Sequence, residues 1–387
     1  MASKPEFSTD RFALRLALFY AAYFLFGGIQ WPYFPVWLEA KGLDASTIGL
    51  VIAAPMIVRI VFTPVATHLA DRYAALKAAI VILSAGGTLA MAVLGQLEGG
   101  IAILIAFVIA TMFFSPTISI AEAYALNGLR ARGRAYGPVR LWGSVAFIAG
   151  NVGAGLLLDA IAPGNLIWLS VAALAVSTVA AVMLVPFDRG PRVEAKAGAP
   201  AGAAWCTPAF VTVAAAAALI QGSHALFYGF STLDWRAAGF DGLTIGVLWG
   251  LGVVSEIVLF ALSGRLPGWL GPTLLLAIGG IGGVVRWTAM AFDPPALLLP
   301  LLQMLHALSF GAAHLGAMGF LARAVPPERA ATAQGVLATV SGIVMAAATA
   351  ASGSLYAASG SLAYLAMAAM ALTGLACALI AHLRSRG

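Results

Sequence analysis

Two polar stripes on otherwise apolar stretches offer the first chemistry in this sequence. Ser115, Ser119 and Glu122 recur at i, i+4 and i+7, one face of a helix. Arg140, Ser144, Phe147 and Asn151 recur at i, i+4, i+7 and i+11 on one face of the next apolar stretch. A carboxylate and a guanidinium thus fall on polar stripes of adjacent helices. A single charge at a bilayer centre costs about 2.5 kcal/mol or more, so such groups pair with one another or line a pathway. The chemistry they offer is recognition of a polar solute.

Three further charges, Arg59, Glu256 and Arg286, lie inside apolar stretches. Three cations against two carboxylates leave one positive charge that an anionic ligand would balance. Gln221, His224 and Tyr228 form a third stripe at i, i+3, i+7, and Gln303, His306, Phe310 and His314 a fourth at i, i+3, i+7, i+11. Histidine titrates near neutrality and relays protons, and Glu256 is the carboxylate well inside a span of the second half, so His306, His314 and Glu256 are the candidate proton-coupling residues. No Ser–His, paired-Asp or zinc constellation has hydrolase spacing, and no metal or cofactor is expected.

The elements that must position these residues follow from composition. The 387 residues are 61% hydrophobic and 9% charged, with a mean hydropathy of +0.97. Apolar runs of about twenty residues recur along the whole chain, which excludes a soluble multidomain protein. Twelve spans are expected at 14–38, 46–70, 76–96, 100–126, 138–160, 164–186, 207–234, 243–267, 272–291, 294–323, 330–358 and 361–384. The Pro/Gly/Ala-rich stretch 188–206 reads as a linker joining two halves, 1–187 and 207–387. The +6 net charge does not imply nucleic acid, because the basic residues gather in alternate loops. Sixteen Lys and Arg, among them Lys4, Arg72, Lys77, Arg130, Arg134, Arg192 and Arg384, fall on the side holding both termini, against Lys41 and Arg236 opposite. That places both termini in the cytoplasm. Cys206 and Cys377 suggest no disulfide framework.

The halves repeat. Lys41-Gly-Leu-Asp-Ala-Ser-Thr-Ile-Gly49 matches Ala238-Gly-Phe-Asp-Gly-Leu-Thr-Ile-Gly246 at an offset of 197, sharing Gly, Asp, Thr, Ile and Gly. The same offset carries Arg59 onto Glu256. Parallel six-helix repeats of this kind belong to transporters.

Thr67-His-Leu-Ala-Asp71-Arg72-Tyr-Ala-Ala-Leu-Lys77 resembles the cytoplasmic loop signature of the major facilitator superfamily, with Thr67 where that signature has Gly. The resemblance implies a latch role for Asp71 and Arg72. Five longer blocks resemble the phenylpropionate permease branch of that superfamily, which is similar to lactose permease-type proton symporters. They are Tyr136-Gly-Pro-Val-Arg-Leu-Trp-Gly-Ser-Val-Ala-Phe147, Gln221-Gly-Ser-His-Ala-Leu-Phe-Tyr-Gly-Phe-Ser231, Leu248-Trp-Gly-Leu-Gly-Val-Val-Ser-Glu-Ile-Val-Leu-Phe-Ala-Leu-Ser263, Gly283-Val-Val-Arg-Trp287 and Leu305-His-Ala-Leu-Ser-Phe-Gly-Ala-Ala-His314. The resemblance implies that Glu122 and Arg140 hold the solute. It also implies that Glu256, Arg286 and His306 or His314 form the proton site, although the tenth span has no carboxylate.

The fold expected is an all-α membrane protein with twelve transmembrane helices in two pseudo-symmetric six-helix bundles. The function expected is proton-coupled import of a small aromatic carboxylate across the cytoplasmic membrane by a monomer. Arg140, Glu122, Arg59, Arg286, Asn151, Tyr228 and His224 are the candidate binding residues, with Phe24, Trp31 and Trp142 as aromatic surface. The alternatives are a transporter of a neutral sugar or nucleoside, an efflux carrier, a membrane enzyme, or a channel.

Overall fold

The computed structural model describes residues 11–186, 207–326 and 329–384. Within them every long element is a helix: α1 Arg11–Ala40, α2 Ala45–Arg72, α3 Leu76–Gln96, α4 Gly100–Arg130, α5 Tyr136–Leu158 and α6 Leu166–Met183. There follow α7 Pro208–Gly222, α8 Ala225–Ala237, α9 Gly242–Leu262, α10 Pro272–Ala291, α11 Leu299–Met304, α12 Ala313–Ala324, α13 Ala330–Ser359 and α14 Tyr364–Arg384. The linker expected at 188–206, Cys206 included, lies outside the described residues. Eleven described stretches are long and apolar enough to cross a membrane. The last, Thr332–Arg384, holds both α13 and α14, with the 3-10 turn Gly360–Ala363 between them. In lipid only helices and closed β-barrels satisfy every backbone group, and only a helix does so within one segment, so apolar runs of about twenty residues fold as helices joined by short turns.

The chain divides into two compact units. The first comprises Met1–Trp37 and Val58–Arg192, the second Leu38–Ile57 and Val193–Gly387. The first half of α2 therefore packs with the second unit, although it precedes the expected linker. Glycine explains this: a Cβ added at Gly49 would meet the Gly353 backbone of α13 at 2.9 Å, so only two bare backbones fit there. In unit 1 the core joins Phe12, Leu16, Phe19 and Tyr20 of α1 to Ile80 of α3, Ile120 and Tyr124 of α4, and Ala181 of α6. A Cβ at Gly28 would overlap the carbonyl of Phe147, and one at Gly150 would lie 2.7 Å from the Leu25 carbonyl, so α1 and α5 cross at near contact. In unit 2 small residues dominate, with Ala214, Ala217, Ala277, Ala313, Ala317, Ala333 and Ala378 all buried in one cluster.

The two repeated loops fold alike. Leu43 N–H donates to the Leu38 carbonyl and Gly42 N–H to Glu39, as Phe240 donates to Trp235 and Gly239 to Arg236. Gly42 and Gly239 both take left-handed φ, +79° and +86°, which closes each preceding helix in a Schellman-type turn. Asp44 then caps α2, its carboxylate accepting from Thr47 N–H at 2.9 Å and Thr47 hydroxyl at 3.1 Å. Asp241 caps α9 with the same pair of bonds from Thr244, at 2.7 and 3.1 Å. These bonds hold both exposed carboxyls below their usual range, the threonine amide being the leading cause.

Candidate solute and proton sites

In unit 1 the adjacent-helix stripes meet as expected. Arg140 Nε on α5 donates to Glu122 Oε1 on α4 at 3.3 Å. The guanidinium carbon sits 3.9 Å from the centre of the Phe24 ring and 5.4 Å from that of Tyr20, both on α1. Tyr136 stands edge-on to Tyr20 with ring centres 6.4 Å apart. The pair is half-buried, and the contact to Glu122 uses Nε, so the Nη edge of the fork remains for a planar anion. Tyr20 and Tyr136 were not foreseen as neighbours, because neither shares a polar stripe with the charged pair.

The other candidates of this unit lie apart. Asn151 is fully buried, Tyr33 donates to its backbone carbonyl at 2.7 Å, and its side-chain amide has no hydrogen-bond partner. Arg59 is exposed on α2, within electrostatic reach of Tyr23. Asp71 and Arg72 end α2, just before the turn in which Ala74 takes φ +51°. Trp31 and Trp142 are largely exposed.

Unit 2 builds a denser network, and two interrupted spans supply it. The seventh span breaks between α7 and α8 at Ser223–His224, and the tenth opens into a π-helical turn at Ala307–Ala312. Such breaks are tolerated in a membrane protein where they line a site, and π turns cluster at functional positions. Arg286, on α10, is wholly enclosed: Nη2 donates to Gln303 Oε1 at 2.6 Å and Nη1 lies 3.2 Å from His306 Nδ1. Nη1 also reaches Ser309 Oγ at 3.5 Å, while Phe227 and Trp287 cover the guanidinium at 4.6 and 4.5 Å. Trp287 is held in turn by its indole N–H donating to Ser223 Oγ at 2.9 Å.

The partners fix the histidine tautomers. A guanidinium only donates, so His306 Nδ1 accepts and the neutral ring carries its proton on Nε2. That Nε2 lies 3.5 Å from Glu256 Oε2 on α9. His224 Nδ1 faces the carbonyls of Ile220 and Gln221 at 3.2 and 3.1 Å, so it carries the proton there, and Nε2 accepts from Ser309 hydroxyl at 3.0 Å. The rings of His306, Phe310 and His314 lie parallel, at 5.1 and 6.2 Å, with Glu256 an electrostatic neighbour of His314. Tyr228 stacks on His224 at 5.7 Å and also lies within electrostatic range of Glu256. Glu256, His306, His314, His224, Tyr228 and Arg286 are thus brought together. Ser223, Ser309 and Trp287 were missed, since serine and tryptophan in apolar runs carry no distinguishing spacing. Among the described residues no group of three His, Cys, Asp or Glu could hold a metal ion.

Residues 13–366 match the MFS_1 like family. The chain is 33% identical over 315 residues, 79% of its own length and 81% of the relative's, to the probable 3-phenylpropionic acid transporter of Escherichia coli (strain K12). It is 26% identical over 319 residues to the maltose permease of Geobacillus stearothermophilus, covering 81% of this chain and 79% of that one. Its fold is similar to the crystal structure of the nucleoside transporter NupG, with a TM-score of 0.85 at 15% identity over 96% of this chain and 99% of that one. A bacterial homolog of the human lysosomal transporter Spinster, inward-facing and unoccupied, matches with a TM-score of 0.74 at 14% identity over 98% of each chain.

Proposed function

This chain belongs to the MFS_1 like family, a multi-pass membrane transporter and not an enzyme, and from that premise we propose that it imports a small aromatic carboxylate together with protons. The observation that carries this reading is the Arg140 fork, held at Nε by Glu122 and laid on the Phe24 ring. A carboxylate takes two parallel N–H donors from such an edge, and an aromatic tail finds Phe24 and Tyr20 beside it. The relative named for 3-phenylpropionic acid supplies the solute class.

In the same reading the chain crosses the cytoplasmic membrane twelve times as two six-helix bundles, 1–187 and 207–387, with both termini in the cytoplasm, and acts as a monomer. The Asp71–Arg72 turn is its cytoplasmic latch. Glu256 carries the coupled proton: His224 has both ring nitrogens engaged and His306 receives Arg286 on Nδ1, whereas the Glu256 carboxyl is partly accessible, with 21% of its side chain exposed.

A second reading, a neutral sugar as solute, draws on the Glu122–Arg140 pair, whose charges cancel, and on the maltose permease relative. Proteoliposomes with an acid exterior separate the two. Labelled 3-phenylpropionate accumulates above the level in protein-free vesicles, a protonophore abolishes the excess, and labelled maltose and uridine stay at background. Accumulation of maltose with none of the carboxylate overturns the first reading in favour of the second.

A further inference from the structure

We infer that Trp31 sets the length of the solute. It closes the far end of a slot that begins at the Arg140 fork, so the protein selects carboxylates whose aromatic ring stands on a short chain. The inference rests on the carboxylate reading above and adds a specificity-determining residue to it. Every residue it uses belongs to the first unit.

Two helices meet here residue for residue. Phe24 and Trp31 stand seven residues apart on α1, and Arg140 and Phe147 stand seven apart on α5. Seven residues are two turns, a rise of about 10.5 Å, and return to nearly the same face. The first members touch, the Arg140 guanidinium lying 3.9 Å from the centre of the Phe24 ring. So do the second, Trp31 standing edge-on to Phe147 with ring centres 5.5 Å apart. The contacts form two rungs, one bearing a charge and the other two rings. Gly143 makes the first rung possible, since a Cβ there would lie 2.8 Å from the Phe24 ring and 2.9 Å from Arg140 Nη1.

Between the rungs α1 presents Gly27, three residues past Phe24 and four before Trp31. A Cβ at Gly27 would meet the Phe147 ring alone, at 3.5 Å, so the floor of the slot is bare backbone. Trp31 is 58% exposed, whereas every other residue from Leu25 to Leu38 is buried or half-buried. The half-buried Arg140–Glu122 pair faces a polar space, because charges turned to hydrocarbon are too costly. Trp31, two turns along the same face, opens on that space and not on lipid. In the other direction Tyr20, one turn before Phe24, is wholly buried and offers the solute no floor. A carboxylate on the fork therefore extends over Gly27 towards Trp31. A ring contact takes about 5 Å between centres, which leaves about 5 Å of the rise for a carboxyl carbon and a tether of two methylenes. Benzoate, with no methylene, is too short to touch both rungs.

Competition in proteoliposomes with an acid exterior tests this, with labelled 3-phenylpropionate as the transported probe and unlabelled 3-phenylpropionate and benzoate as competitors. In the wild type 3-phenylpropionate competes at a concentration roughly tenfold below that of benzoate, the difference a lost ring contact makes. Trp31→Ala closes most of that gap by weakening 3-phenylpropionate and leaving benzoate unchanged, and Trp31→Phe restores it. Gly27→Ala decides the matter should Trp31→Ala lose its uptake or its melting temperature. Its methyl meets Phe147 at an ordinary contact distance, so the bundle folds, yet it stands on the floor of the slot. It raises the KM for 3-phenylpropionate several-fold and leaves inhibition by benzoate as it was. A gap as wide in Trp31→Ala as in the wild type, as an aromatic anchor at the membrane–water boundary would give, overturns the inference and leaves carboxylate transport standing. A wild-type KM in Gly27→Ala overturns it as well. Absence of protein-dependent 3-phenylpropionate uptake in the wild type removes the proposed function and this inference together.

Discussion

Arg140 is held at one nitrogen and stacked on a ring, a geometry an ammonium cannot copy. Arg140→Lys is therefore expected to lose most 3-phenylpropionate uptake, tenfold or more, at normal expression and melting temperature; wild-type uptake rates would remove Arg140 from the site. Arg140→Ala says less, because it strands Glu122 half-buried. At this scale the sequence was readable where charges sit at regular spacing on unbroken helices, as Glu122 and Arg140 do on α4 and α5. It was not readable around Arg286. A 3.6-residue period aligns Gln303, His306, Phe310 and His314, but the π turn at Ala307–Ala312 widens the helix there, and Ser309 also reaches Arg286 and His224. Nothing in the spacing announces that turn.

At the scale of elements, helix extents were legible because apolar length is set by the bilayer. The expected 76–96 and 272–291 coincide with α3 and α10, and most other ends fall within a few residues of those observed. The breaks within the seventh and tenth spans were not legible, since Ser223–His224 and Ala307–Ala312 contain neither proline nor an unusual charge. The repeated caps make a testable pair. Asp44 and Asp241 have folded-state pKa values below the unfolded one, so their stabilisation is present above about pH 4, the ordinary carboxylate range, and is lost as pH falls through the lowered values. The double variant Asp44→Asn/Asp241→Asn keeps a side-chain acceptor at each cap but removes the titration. Its melting temperature should fall less steeply with acid than that of the wild type, and parallel curves would show that the caps contribute nothing to acid stability. The α1–α5 crossing gives a second test. Gly28→Ala drives a methyl into the Phe147 carbonyl, while a Cβ at Gly153 meets nothing within 4 Å. Overpacking of this kind costs about 1–3 kcal/mol. Gly28→Ala should lower the melting temperature clearly and Gly153→Ala hardly at all; equal melting temperatures would contradict the close approach.

At the scale of the molecule, the internal repeat carried furthest. The 197-residue offset reappears as two loops with the same turn, glycine conformation and Asp–Thr cap, so the repeat is physical at least there. The division into units was less legible. The expected boundary put Leu38–Ile57 with the first half, and the Gly49–Gly353 approach groups it with the second, because glycine's packing depends on a partner 304 residues away. Sidedness rests on the distribution of Lys and Arg. A reporter fused after Gly387 should be cytoplasmic, and a periplasmic signal would invert the orientation. The central claim is that transport is coupled through Glu256, and one comparison in proteoliposomes tests it most directly. Glu256→Gln should lose protein-dependent, proton-driven accumulation of 3-phenylpropionate while retaining exchange of labelled for unlabelled solute. Intact proton-driven accumulation in Glu256→Gln would contradict the account and move the coupled proton to another group, His314 first among them.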